Sequence, residues 1–83
     1  MARILYFGNL PDLLGRGAEE LFLPKNVKTV RQLIDYLKKR GDIWSKALVE
    51  ERITVTVNKA FGALDDPIAD ADEIAIVSRG LGR

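Results

Sequence analysis

The groups able to do chemistry in this chain are carboxylates, lysines, hydroxyls and the chain termini, because its 83 residues include no histidine and no cysteine. Those two zeros exclude a thiol nucleophile, a disulfide framework, a zinc ribbon and an iron–sulfur cluster held by this chain. They also exclude an imidazole base, a Ser-His-Asp triad and a histidine metal site. The densest group that remains is Asp65, Asp66, Asp70, Asp72 and Glu73. Hard cations favour carboxylate oxygens, but the run lacks calcium-loop spacing and turn chemistry accounts for most of its members. No metal site is therefore expected. No acid–base constellation stands out either, so the chain is expected to hold no catalytic residue of its own and no cofactor.

The elements that must position these residues follow from periodicity. Arg3 to Phe7 alternates and predicts a strand, broken at Gly8-Asn9-Leu10-Pro11-Asp12. Asp12 to Gly15 suits a helical turn. Glu19 to Leu23 predicts a second strand, antiparallel to the first and stopped at Pro24. Thr29 with Gln32 three residues on forms a capping box. Val30, Leu33, Ile34 and Leu37 then recur at the spacing of a helix lying on a core. Lys38-Lys39-Arg40 favour the negative end of its dipole, and Gly41 is expected to supply a left-handed stop. A short helix from Asp42 or Ile43 to about Val49 would pack Trp44, Ala47 and Leu48. Ile53 to Val57 alternates strictly as a strand, Asn58 to Gly62 turns away, and Glu73 to about Ser78 predicts the last strand. This β-β-α-(α)-β-β order is that of an α+β β-grasp, or ubiquitin-like, domain over residues 1–83, with 78–83 as a flexible tail.

Composition limits the partners. Thirteen Lys+Arg against twelve Asp+Glu give a net charge of +1, which offers no basic excess for nucleic acid. No apolar run approaches a membrane span, the N-terminus fails as a signal peptide, and the missing cysteines fit a cytoplasmic chain. Alternation also assigns faces. The Arg3, Thr54 and Glu73 side of the sheet carries Leu5, Phe7 and Val77 with it. If that side faces water, it leaves an apolar patch of the kind that binds a partner; the alternative tucks Leu5 and Phe7 under the Gly8–Gly17 loop.

Val57-Asn58-Lys59-Ala60-Phe61, then Leu64-Asp65-Asp66-Pro67-Ile68-Ala69-Asp70-Ala71-Asp72-Glu73-Ile74-Ala75, resembles the MoaD/ThiS family of sulfur carriers. The resemblance is nearest its molybdopterin-synthase small-subunit branch. Ile4-Leu5-Tyr6-Phe7-Gly8, Leu13-Leu14-Gly15 and the helix after Thr29 extend it over essentially the whole chain. The resemblance implies a carrier whose C-terminal carboxylate is adenylated by an activating enzyme and converted to a thiocarboxylate. The tail then enters a larger molybdopterin-synthase-type catalytic subunit, in molybdenum cofactor biosynthesis. It also implies that Phe61, with Phe7 and Val77, contributes to a partner-binding surface, to which alternation adds Leu5, although Phe61 suits a core plug equally well.

The tail departs from the family pattern. Gly80, Leu81, Gly82 and Arg83 stand where the family ends in Gly-Gly, and Ser78-Arg79-Gly80 replaces its Pro-Pro-Val. Six residues from Ser78 reach roughly 20 Å when extended. Two readings stay open: a variant thiocarboxylate arm, or a ubiquitin-like protein-binding module that has lost carrier activity.

Overall fold

The computed structural model describes residues 1–79. Five strands form one mixed sheet: β1 (Ala2–Phe7), β2 (Ala18–Leu21), β3 (Ile53–Val57), β4 (Ala60–Phe61) and β5 (Glu73–Ser78), in the spatial order β2-β1-β5-β3-β4. The central strand, β5, pairs parallel with β1 and antiparallel with β3, while the two hairpins β1–β2 and β3–β4 are antiparallel. Helices α1 (Leu10–Leu14), α2 (Val30–Lys38) and α3 (Asp42–Ala47) and a 3-10 turn at Glu50–Arg52 complete the chain. A mixed sheet curled over one main helix, with the last strand at its centre, is the β-grasp arrangement expected from the sequence.

Alternation produces this packing directly. Ile4, Tyr6, Val55, Ile74 and Ile76 turn to one face and are buried against Val30, Leu33, Ile34 and Leu37 of α2. Burying a side chain of this size is worth ~1.5–3 kcal/mol, so the helix is held chiefly by its stripe. The amides of its first turn are also bonded. The Val30 and Arg31 amides donate to the Asp66 and Leu64 carbonyls at 3.0 and 2.7 Å, and the Gln32 amide donates to Thr29 Oγ1 at 3.2 Å. The Leu33 amide donates to the Thr29 carbonyl at 3.0 Å, so each of the first four amides of α2 has an acceptor.

Several local expectations are corrected. The capping box closes one residue early, because Gln32 Oε1 accepts from the Lys28 amide at 2.7 Å rather than from Thr29. Gly41 does not stop α2 in a left-handed conformation: α2 ends at Lys38 through 3-10 bonds from Lys39 and Arg40, and Gly41 (φ 153°) links it to α3. α1 starts two residues earlier than expected, at Leu10. β2 runs from Ala18 to Leu21, so Phe22 and Leu23 lie beyond it. Ala60 and Phe61 form the short strand β4 rather than a turn. Asn58 and Lys59 have φ of 52° and 72°, which makes the two-residue turn with positive φ at both positions that suits hairpin twist.

Candidate functional site

The sheet face away from α2 is open, and its side chains form three registered rows. Leu5 stands between Ala18 and Ala75, and Ala75 opposes Thr56, which in turn opposes Phe61. Strands lie ~4.8 Å apart, so this row of five residues spans about 19 Å across the sheet. Beside it Phe7 opposes Val77, and Val77 opposes Thr54. On the other side Arg3 stands between Glu20 and Glu73. Phe61 is 83% exposed and Phe7 47%, while Leu5 and Val77 are half-buried. Leu5, Phe7, Phe61 and Val77 thus share one solvent-facing surface, with an acid–base–acid row along its border. Phe61 does not plug the core, and Phe7 is not tucked under the loop after β1.

The central strand leads out of this surface. Gly8 turns β1 away with φ 73°, and a Cβ on it would stand 2.7 Å from the Ser78 carbonyl oxygen, so only glycine fits there without strain. Ser78 closes β5 rather than opening a tail, and the Arg79 amide continues the ladder by donating to the Arg52 carbonyl at 2.8 Å. The expected carrier tail, Gly80, Leu81, Gly82 and Arg83, lies outside the described residues.

The acidic residues of the last third act on the backbone. Asp66 Oδ2 accepts from Ala63 N at 2.9 Å and Asp72 Oδ2 from Ala69 N at 2.8 Å. Asp70 Oδ1 accepts from Leu23 N at 3.1 Å. Asn58 Oδ1 accepts from Glu73 N at 2.9 Å while its Nδ2 donates to Asp72 Oδ1 at 2.9 Å. The two Asn58 bonds seat the β3–β4 turn against the start of β5.

Sequence reasoning missed one polar cluster, at the β2 edge of the core. The buried Tyr6 hydroxyl donates to Glu19 Oε2 at 2.6 Å, and Arg40 donates to both Glu19 oxygens at 2.7 and 2.9 Å. The Arg40 guanidinium also lies 4.6 Å over the Trp44 ring, which meets Tyr6 edge-on at 5.8 Å. Burial opposes the charge on Glu19, but hydrogen bonds from Arg40 and Tyr6 prevail and hold its carboxyl below the usual range. Burial, reinforced by Glu19, pushes the Tyr6 phenol up, and the Glu19 hydrogen bonds raise Arg40 despite its desolvation. Tyr6, Glu19 and Arg40 bond one another and Trp44 packs on both Tyr6 and Arg40, so the cluster fastens β1 and β2 to the α2–α3 connection and to α3.

An open apolar sheet face beside the end of the central strand β5 marks a small domain of the β-grasp class. The chain belongs to the ThiS family, whose model matches residues 4–79. It is 27% identical over 75 residues, 90% of each chain, to a Haemophilus influenzae protein described as molybdopterin synthase sulfur carrier subunit. A Pyrococcus furiosus structure described as "Putative molybdopterin converting factor, subunit 1" superposes with a TM-score of 0.78 at 25% identity, over 93% of this chain and 94% of that one. SAMP1 of Haloferax volcanii shares the fold, with a TM-score of 0.77 at 20% identity over 99% and 98% of the two chains. No helix among the described residues is long and apolar enough to cross a membrane.

Proposed function

We propose that this chain is the cytoplasmic sulfur-carrier small subunit of a molybdopterin-synthase-type complex in molybdenum cofactor biosynthesis. Its C-terminal carboxylate oxygen attacks the α-phosphorus of ATP in an activating enzyme, and pyrophosphate leaves. A sulfur nucleophile then attacks the acyl carbon, AMP leaves, and a thiocarboxylate remains (a persulfide donor needs a thiol to reduce the mixed disulfide). The larger catalytic subunit docks on Leu5, Phe7, Phe61 and Val77 and receives the segment C-terminal to β5. The observation that supports this most is the pairing of Phe7 with Val77, which sets the docking face directly beside the exit of the C-terminal segment. The similar Haemophilus and Pyrococcus proteins are each described as one subunit of a larger assembly, which supports a partner of this kind.

Mass spectrometry of the protein isolated from its own cells tests the reading. A C-terminal peptide heavier by one sulfur in place of one oxygen is the expected result. A terminus that stays unmodified with activating enzyme, ATP and sulfur donor supplied refutes it and leaves a protein-binding module.

A further inference from the structure

We infer that Arg79 is a positioning residue that latches the root of the C-terminal segment to the 3-10 turn Glu50–Arg52 and thereby aims the chain end. The last β3–β5 pair is Ile53 with Ser78, and at this level β1 has already turned away through Gly8. A chain leaving a sheet here would ordinarily fray. Instead the Arg79 amide donates to the Arg52 carbonyl at 2.8 Å, and its guanidinium donates to the Glu51 carbonyl. These are the last carbonyls of the 3-10 turn, which accept no hydrogen bond inside it. The guanidinium presents its donors in a rigid fork. On the opposite side the Gly8 backbone packs on Ser78, where a Cβ would come within 2.7 Å of the Ser78 oxygen. One residue therefore bonds two successive carbonyls of one turn, while its neighbour is pressed by a glycine from the other strand.

The consequence rests on the carrier reading above. Val77, two residues before the latch, lies on the open face beside Phe7. A partner seated on that face meets the outgoing segment from a fixed root, which raises the effective concentration of the chain end at the partner's reaction centre. Arg79 is exposed and is no member of the hydrophobic core, so removing its side chain changes the aim without loosening the fold.

Backbone ¹⁵N relaxation on the full chain tests the latch, with Arg79→Ala and Arg79→Lys as variants. The Arg79 amide is expected to be as rigid as β5 in the unaltered chain, with an order parameter of ~0.85, and to fall below ~0.6 in Arg79→Ala. The melting temperature should not change. ATP–pyrophosphate exchange with the adenylating enzyme purified from the same cells, at varied carrier concentration, tests the aim. Arg79→Ala should lower kcat roughly three- to tenfold, the span of one hydrogen bond, with KM unchanged, and Arg79→Lys should recover part of it. Unchanged relaxation in Arg79→Ala overturns the latch. Changed relaxation with unchanged kcat overturns the positioning role, and so does a raised KM at constant kcat, which would make Arg79 a partner contact. If the unaltered chain supports no exchange, the carrier reading falls and the aim with it, while the relaxation data still decide the latch.

Discussion

Glu19 tests how the edge of this sheet is held. Its carboxylate accepts from Tyr6 at 2.6 Å, from Arg40 at 2.7 and 2.9 Å and from Arg16 at 3.3 Å. Tyr6 is 1% exposed, whereas the Arg40 side chain is 27% exposed. Glu19→Ala therefore strands a buried phenol, while Arg40 turns to water. Loss of a hydrogen bond to a charged group costs ~1.5–3 kcal/mol, and the part-screened ion pairs add ~0.5–1 kcal/mol. Together these give ~2–4 kcal/mol, which in a chain of this length lowers Tm by ~10–25 °C. Tyr6→Phe removes only the donor, leaves Glu19 with Arg40, and should cost ~1 kcal/mol. Urea unfolding of both single variants and the double variant isolates the pair, for which a coupling of ~1 kcal/mol or more is expected. A Glu19→Ala cost below ~0.5 kcal/mol with additive single effects, the behaviour of an ordinary surface ion pair, refutes this reasoning.

The same cluster fixes the pH dependence. The folded carboxyl of Glu19 lies below its ordinary 4.5, so its contribution is present above that pH and is lost as pH falls through the lowered folded value. Tyr6 lies above its ordinary 10.0, so its contribution is whole below pH 10 and is lost as pH rises through the folded value. The urea midpoint should decline at both extremes, and Glu19→Ala should flatten the acid limb.

Two further perturbations address the open face and the exit of β5. Phe61→Asp alters a side chain that is 83% exposed, so Tm should hold within the ~0.5 kcal/mol of a surface change. Affinity for the partner co-purified from the chain's own cells should fall about 30-fold or more by calorimetry, as for a ~2 kcal/mol hot spot; unchanged affinity removes Phe61 from the interface. Gly8→Ala forces a Cβ against the Ser78 carbonyl at positive φ and should cost ~1–3 kcal/mol in urea unfolding. A neutral result would show that β1 and β5 can part there freely.

Legible and hidden features of the sequence divide along periodicity. β3 and β5 lie at their expected bounds and β1 begins one residue early, because half of their residues meet the core and alternation is a direct record of that. The stripe of α2 is legible for the same reason, and parity alone assigns Leu5, Phe7 and Val77 a common face. β4 is hidden because two residues carry no period; its signal is the Asn58-Lys59 turn, whose positive φ values are not encoded by a glycine. The Tyr6–Glu19–Arg40–Trp44 cluster is hidden because its members are far apart in sequence. Arg40 sits in a basic run that dipole chemistry explains without it, and a glutamate on an edge strand ordinarily faces water. Its only trace is the identity of a tyrosine, rather than a plain hydrocarbon, at an inward position of β1.

The parallel pairing of β1 with β5 has a consequence that neither strand's pattern shows by itself. A last strand at the edge of the sheet would release the chain end away from the other strands. Here β5 is inserted between β1 and β3, so its last described residues lie in the middle strand of the sheet, next to the level where Phe7, Val77 and Thr54 stand side by side. Any partner broad enough to cover that row must also cover the exit. On the proposed carrier reading, docking and delivery are coupled by strand order before any side chain is chosen, and the side chains are left to decide which partner docks and how firmly Arg79 holds the root.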